Sequence, residues 1–142
     1  MGDHLVDVRQ WLQAEDLGAA ALATVRYIVS DVAAASEFYI GQLGFELVQA
    51  YGPAMAIVRR GDLLLWLAGP GASASRPMPD GRQPVPGGWN RIVVETADLA
   101  ALVASLKAAG APFRNEIISG PGGRQTLCED PSGNVVELFE PG

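Results

Sequence analysis

The strand-like run Asn134–Phe139, inside DPSGNVVELF, carries one carboxylate, Glu137, among apolar neighbours. A carboxylate there can accept hydrogen bonds, take a proton or ligate a metal, and buried without a partner it is costly. Few other residues offer chemistry. The one cysteine, Cys128 in QTLCED, has no base beside it in sequence to activate it, so a buried structural thiol is expected. The one histidine, His4, lies near the N-terminus. The GPGG run at 120–123 is a turn signal, because the Lys and the strand–loop–helix context of a phosphate loop are missing. Arg114, Asn115 and Arg124 surround that turn and are expected to be solvated.

The elements that must position these residues occur twice. Val25–Pro70 and Arg91–Pro141 each open with a short β-branched strand, then an Asp, a helix, a Gly and further short strands. Asp31 and Asp98 sit at N-cap positions. Leu99, Leu102, Val103 and Leu106 form one apolar stripe ending before Gly110, a left-handed C-terminal cap. FELVQA and FRNEII follow the two helices, then Gly-Pro turns and two more strands, so each half reads βαβββ. One helix covers one sheet face only, so two halves or two chains must share their open faces; a sandwich with a solid core is the alternative. The predicted class is α+β: paired βαβββ modules in a curved mixed sheet around a cavity, helices outside, plus an N-terminal helix.

The stretch at 69–88 is rich in Pro, Gly and Ser and reads as a linker, with a lid over a site as the second reading. The organisation is therefore an N-terminal extension at 1–22, module 1 at 23–68, linker 69–88 and module 2 at 89–142. In the extension, Leu5, Val8, Trp11 and Leu12 share a helical face, and such a face must dock on the domain or on a second chain.

The formal net charge of -6 argues against a nucleic-acid partner and favours a cationic ligand or partner. No apolar run suggests a membrane span, and the charged start lacks a signal-peptide core. A lone cysteine fits a reducing compartment, so a cytoplasmic location is expected.

The twofold βαβββ repeat, the helix ending in FYIGQLGF and the final DPSGNVVELFEP together resemble the vicinal oxygen chelate superfamily of glyoxalases, bleomycin-resistance proteins and extradiol dioxygenases. The resemblance spans Val25–Pro141. It implies four equivalent strand positions that hold a metal in the metal-dependent members. Counting seven residues back from Asp31 and Asp98 gives Thr24 and Arg91; counting four on from Gly61 and Gly133 gives Leu65 and Glu137. A divalent ion needs three or four nitrogen, sulfur or carboxylate donors. Only Glu137 qualifies, so no cofactor is expected and a divalent metal is disfavoured.

If Glu137 faces the cavity, alternation places Val135 and Phe139 there too, with Arg91, Val93 and Glu95 and with Trp89 just before them. From module 1 it places Thr24, Arg26, Ile28, Leu63, Leu65 and Leu67. Trp66 is then expected against the helix, Tyr27 in the core and Asn90 facing outward. Arg91 supplies the positive charge that a metal supplies in related proteins, and Glu137 pairs with it; a pair that only holds the halves in register is the bland alternative. The ligand-binding set is Arg91, Glu137, Thr24, Arg26, Leu65, Trp89 and Phe139. The leading function is metal-independent binding of an aromatic or cationic small molecule by a homodimer. The alternatives are a lyase or isomerase of glyoxalase type, rather than a dioxygenase, with Glu137 as catalytic base, and a dimeric regulatory or interaction protein.

Overall fold

A computed structural model describes residues 23–142. The expected amphipathic helix at the N-terminus lies outside the described residues. Module 1 contains β1 (Ala23–Ile28), α1 (Val32–Glu37), a wider helical turn at Phe38–Gln42, β2 (Glu46–Tyr51), β3 (Met55–Arg60) and β4 (Leu63–Ala68). Module 2 contains β5 (Ile92–Glu95), α2 (Leu99–Ala108), β6 (Ile118–Gly120), β7 (Gly123–Glu129) and β8 (Val135–Pro141). Asp31 and Asp98 cap their helices as expected: each Oδ1 accepts from a first-turn amide, Ala34 N at 3.1 Å and Ala101 N at 3.0 Å. Gly110, at φ 91°, ends α2 in the left-handed region.

The two sheets have the same topology, β1-β4-β3-β2 and β5-β8-β7-β6. The β1–β4 and β5–β8 pairs are parallel and the rest antiparallel, so both sheets are mixed. One apolar core joins the modules. Val32, Ala35, Phe38 and Tyr39 pack on Val58, Leu65 and Leu67 in the first, while Leu99, Val103 and Leu106 pack with Val94, Val136 and Leu138 in the second. Among the described residues no helix is long and apolar enough to cross a membrane.

FRNEII is not the continuous strand its counterpart FELVQA forms. Phe113 makes an isolated bridge to Cys128, and β6 starts only at Ile118. Asn115 explains the break: its Oδ1 accepts from Leu127 N at 2.9 Å and from the Thr126 hydroxyl at 2.9 Å, so a side chain replaces a ladder bond.

The modules are tied at a seam. Tyr27 of β1 donates its hydroxyl to Val135 O at 2.8 Å and accepts from Ile92 N at 2.9 Å, bridging to β8 and β5. The DPSGN turn supplies the rest. Asp130 accepts from Ser132 N, Asn134 N and the Tyr39 hydroxyl, while Asn134 donates to Ile28 O at 2.8 Å and accepts from Gly87 N at 2.8 Å. Gly133 takes a left-handed φ of 87° to close the turn.

Candidate functional site

The residues singled out on β5 and β8 come together on the sheet face opposite α2. Register pairs Val93 with Glu137 and Glu95 with Phe139, so these four share a face, with Arg91 just before the strand. Arg91 Nε donates to Glu137 Oε1 at 3.1 Å, with side chains 31% and 12% exposed. The guanidinium does not fork over both oxygens, because its Nη1 is turned 3.5 Å from Trp89 O. Among the described residues no other donor reaches the Glu137 carboxylate, whose second oxygen stays available on this face. Trp89 is 67% exposed and Val93 50% exposed, while Val135 on the same face is buried.

Module 1 departs from expectation. Leu63, Leu65 and Leu67 were expected in the cavity, but they point to the helix: Leu65 and Leu67 are fully buried in the core and Leu63 packs against it. Trp66, expected against the helix, is on the opposite face. The cause is a one-residue difference in the turns before the last strands. Arg26 and Val93 each lie five residues before a capping Asp; the first pairs with Trp66 and the second with Glu137. The true counterpart of Glu137 is therefore Trp66, not Leu65. Thr24 and Arg26 are on the open face as expected, and the Arg26 guanidinium lies 4.8 Å from the Trp66 ring centroid.

Arg114 was expected to be a solvated loop residue. Instead it binds Glu129 Oε2 at 2.7 Å, Gly88 O at 2.8 Å and Gly133 O at 3.2 Å, and stacks 4.5 Å over Trp89. It fixes the end of the linker, and with it Trp89, beside the Arg91–Glu137 pair. Arg124 is also engaged, with Glu140 at 3.2 Å. Cys128 is fully buried, and burial pushes its thiol up to about 12, which makes it a poor nucleophile.

The residues do not fit a metal. With the register corrected, the equivalent positions are Thr24, Trp66, Arg91 and Glu137. An indole N–H only donates and a guanidinium is a permanent cation, so one carboxylate remains. Among the described residues no three His, Cys, Asp or Glu side chains converge.

The two-module scaffold is that of a known class. Residues 21–138 match the model of the Glyoxalase/Bleomycin resistance protein/Dioxygenase superfamily, and the chain belongs to it. No curated protein matches it. Among solved structures, a superfamily member from Sphaerobacter thermophilus is 30% identical, with a TM-score of 0.66 over 87% of this chain and 99% of that one. The antibiotic-binding protein TnmS3 from a Streptomyces species is 28% identical, with a TM-score of 0.63 over 84% and 93%. Lactoylglutathione lyase from Agrobacterium tumefaciens, 24% identical with a TM-score of 0.64 over 84% and 92%, shares the fold.

Proposed function

We propose that this protein binds an aromatic or cationic small molecule on the open face of β5 and β8, without a metal. The observation that carries the reading is the Arg91–Glu137 pair at 3.1 Å, joined through one nitrogen and one oxygen. The remaining guanidinium N–H groups and the second carboxylate oxygen can orient a polar group. Trp89, Val93 and Phe139 supply the apolar surround that a ligand site needs. The likeness to TnmS3, an antibiotic-binding protein, supports binding rather than turnover. The lone carboxylate among the four equivalent positions supports metal independence. In this reading two copies associate, in the cytoplasm that the single buried cysteine suits.

The test is a thermal-shift screen of planar aromatic, cationic and thiol-adduct compounds, followed by calorimetric titration of each hit into the parent and Arg91→Ala proteins. Losing a hydrogen bond to a charged group, worth about 1.5–3 kcal/mol, weakens binding by roughly ten- to a hundredfold. A folded Arg91→Ala protein that binds every hit as tightly as the parent contradicts the reading.

A further inference from the structure

We propose that a trough on the helix side of sheet 1, between α1 and the β2–β3 hairpin, binds an uncharged, largely apolar small molecule. The site is separate from the open face of β5 and β8 and does not depend on it. The trough holds about 690 Å³. Small-molecule sites occupy about 300–1,000 Å³.

Residue size and register create the space. The helix packs over β3 and β4, with Val32, Ala35 and Phe38 in the core, and leaves β2 largely uncovered. A bulge between Leu47 and Gln49 turns Leu47 and Ala50 to the same side although they are three residues apart. Leu47 pairs with Val58 and Ala50 with Ala56, and both partners belong to the core below α1. Ala50, Ala54 and Ala56 line the trough, so no long side chain fills it from the sheet. Ala33, Ser36 and Ile40 line it from the helical segment. The wider turn at Phe38–Gln42 buries Phe38 and Tyr39 and leaves Ile40 at the rim, 37% exposed.

The walls are fixed to one another, so the trough is preformed. Gly69 N donates to Ala54 O at 2.8 Å, which ties the hairpin turn to the end of β4. Val32 meets the same point, because a Cβ added at Gly69 would sit 2.5 Å from Val32 Cγ2. Ser75 Oγ donates to Gly69 O at 2.7 Å and holds the start of the linker, whose Pro70 and Gly71 complete the lining.

The repeat supplies an internal comparison. At the equivalent place in module 2 the space is only about 210 Å³. The third residue of FRNEII, Asn115, is bonded there to Thr126 and Leu127 N, and the Lys107 ammonium lies 5.4 Å from the Phe113 ring centroid. The third residue of FELVQA is Leu47, 53% exposed. The same fold position is therefore narrow and polar in one module and wide and apolar in the other, so the trough is a property of this sequence and not of the fold.

The lining also sets the ligand class. Its one charged side chain among the described residues is Asp31, whose Oδ1 already accepts from Ala34 N at 3.1 Å. Ser30 is engaged with Ser132 through both its amide and its hydroxyl. No cation lines the trough to pair an anionic head, and Asp31 repels one, so a carboxylate or phosphate is excluded. An apolar body gains from covering Ile40, Leu47 and the alanines.

The test is fluorescence titration of the full chain with N-phenyl-1-naphthylamine, an uncharged apolar probe, at low and high protein concentration. Ala33→Trp fills the trough from an exposed helix position, and Leu47→Asp puts a charge in its wall. The expected result is saturable binding to the parent, weakened roughly tenfold or more in each variant. Decanol displaces the probe, and decanoate at the same concentration does not. Nuclear Overhauser contacts run from the bound probe to the methyl groups of Ile40 and Leu47. No saturable binding, equal affinity in the folded variants, or displacement by decanoate as strong as by decanol overturns the proposal. So do contacts to Val93 and Val135 in place of Ile40 and Leu47, which put the probe on the open face. Binding that is lost as a dimer forms in light scattering also overturns it, since a second copy then fills the trough. If neither variant folds, the contacts in the parent decide: those to Ile40 and Leu47 support the proposal, and their absence overturns it.

Discussion

Tyr27→Phe removes one oxygen from the seam and leaves the ring in place. That oxygen is 2.8 Å from Val135 O and 2.9 Å from Ile92 N, and the residue is buried. Phenylalanine keeps the packing, so no cavity term enters. The cost is two backbone groups left short of a partner, at about 1–3 kcal/mol each. The Val135 carbonyl keeps a second lone pair for the sheet, so its share is about 1 kcal/mol; with about 1–2 kcal/mol for the Ile92 amide the total is about 2–3 kcal/mol. With a urea m-value of about 1.5 kcal/mol per M, the midpoint falls by roughly 1.5 M at unchanged slope. The pH dependence gives a second readout. Burial pushes the Tyr27 hydroxyl up to about 12, against about 10 in an unfolded chain. The raised value stabilises the fold below pH of about 10, and that contribution is lost as pH rises through about 12. The parent therefore loses stability steeply over this window. The variant keeps the parts due to Tyr39, Tyr51 and Cys128, which burial also raises. A midpoint shift below about 0.3 M in urea refutes the bridge as a tie between modules.

Two further substitutions follow from the same geometry. Arg114→Ala removes bonds to Glu129, Gly88 and Gly133 and the stack on Trp89, so stability falls by about 1.5–3 kcal/mol, read as a lower urea midpoint. Arg124→Ala, at a more exposed pair, falls by under about 1 kcal/mol in the same assay; an equal loss for both contradicts the anchoring role of Arg114. Glu140 accepts from Leu99 N at 2.7 Å at the start of α2, and that bond, helped by Arg124, holds its carboxyl below the usual range. A lowered carboxyl stabilises the fold above its unfolded value, and the contribution is lost as pH falls through the folded one. Glu140→Gln therefore flattens the acid limb of a pH–stability curve; an unchanged limb counts against the bond.

The repeat made most of the fold legible. The capping Asp residues, the α2 stripe and the two βαβββ halves could be read because each is a local pattern with its own physical cause. Arg91 and Glu137 could be placed on one face because alternation within β5 and β8 is strict. The same rule failed at Leu65, where it depended on matching two turns of different conformation, and a one-residue slip reverses every side chain of a strand. Arg114 was missed because two of its three partners are backbone carbonyls, of Gly88 and Gly133, which no residue type announces. The seam was missed for a similar reason. Tyr27 looked like a core aromatic, and nothing in its neighbours signals a hydroxyl bridging strands 65 and 108 residues away. Asn115 ended a strand through its side chain, which a β-pattern does not reveal.

The proposed function relies on the Arg91–Glu137 pair and not on a metal. Metal analysis by plasma mass spectrometry, on protein purified without chelators from metal-supplemented cells, tests it most directly. The account predicts transition metal far below one equivalent per chain, unchanged by Glu137→Gln. One equivalent that disappears in Glu137→Gln contradicts it.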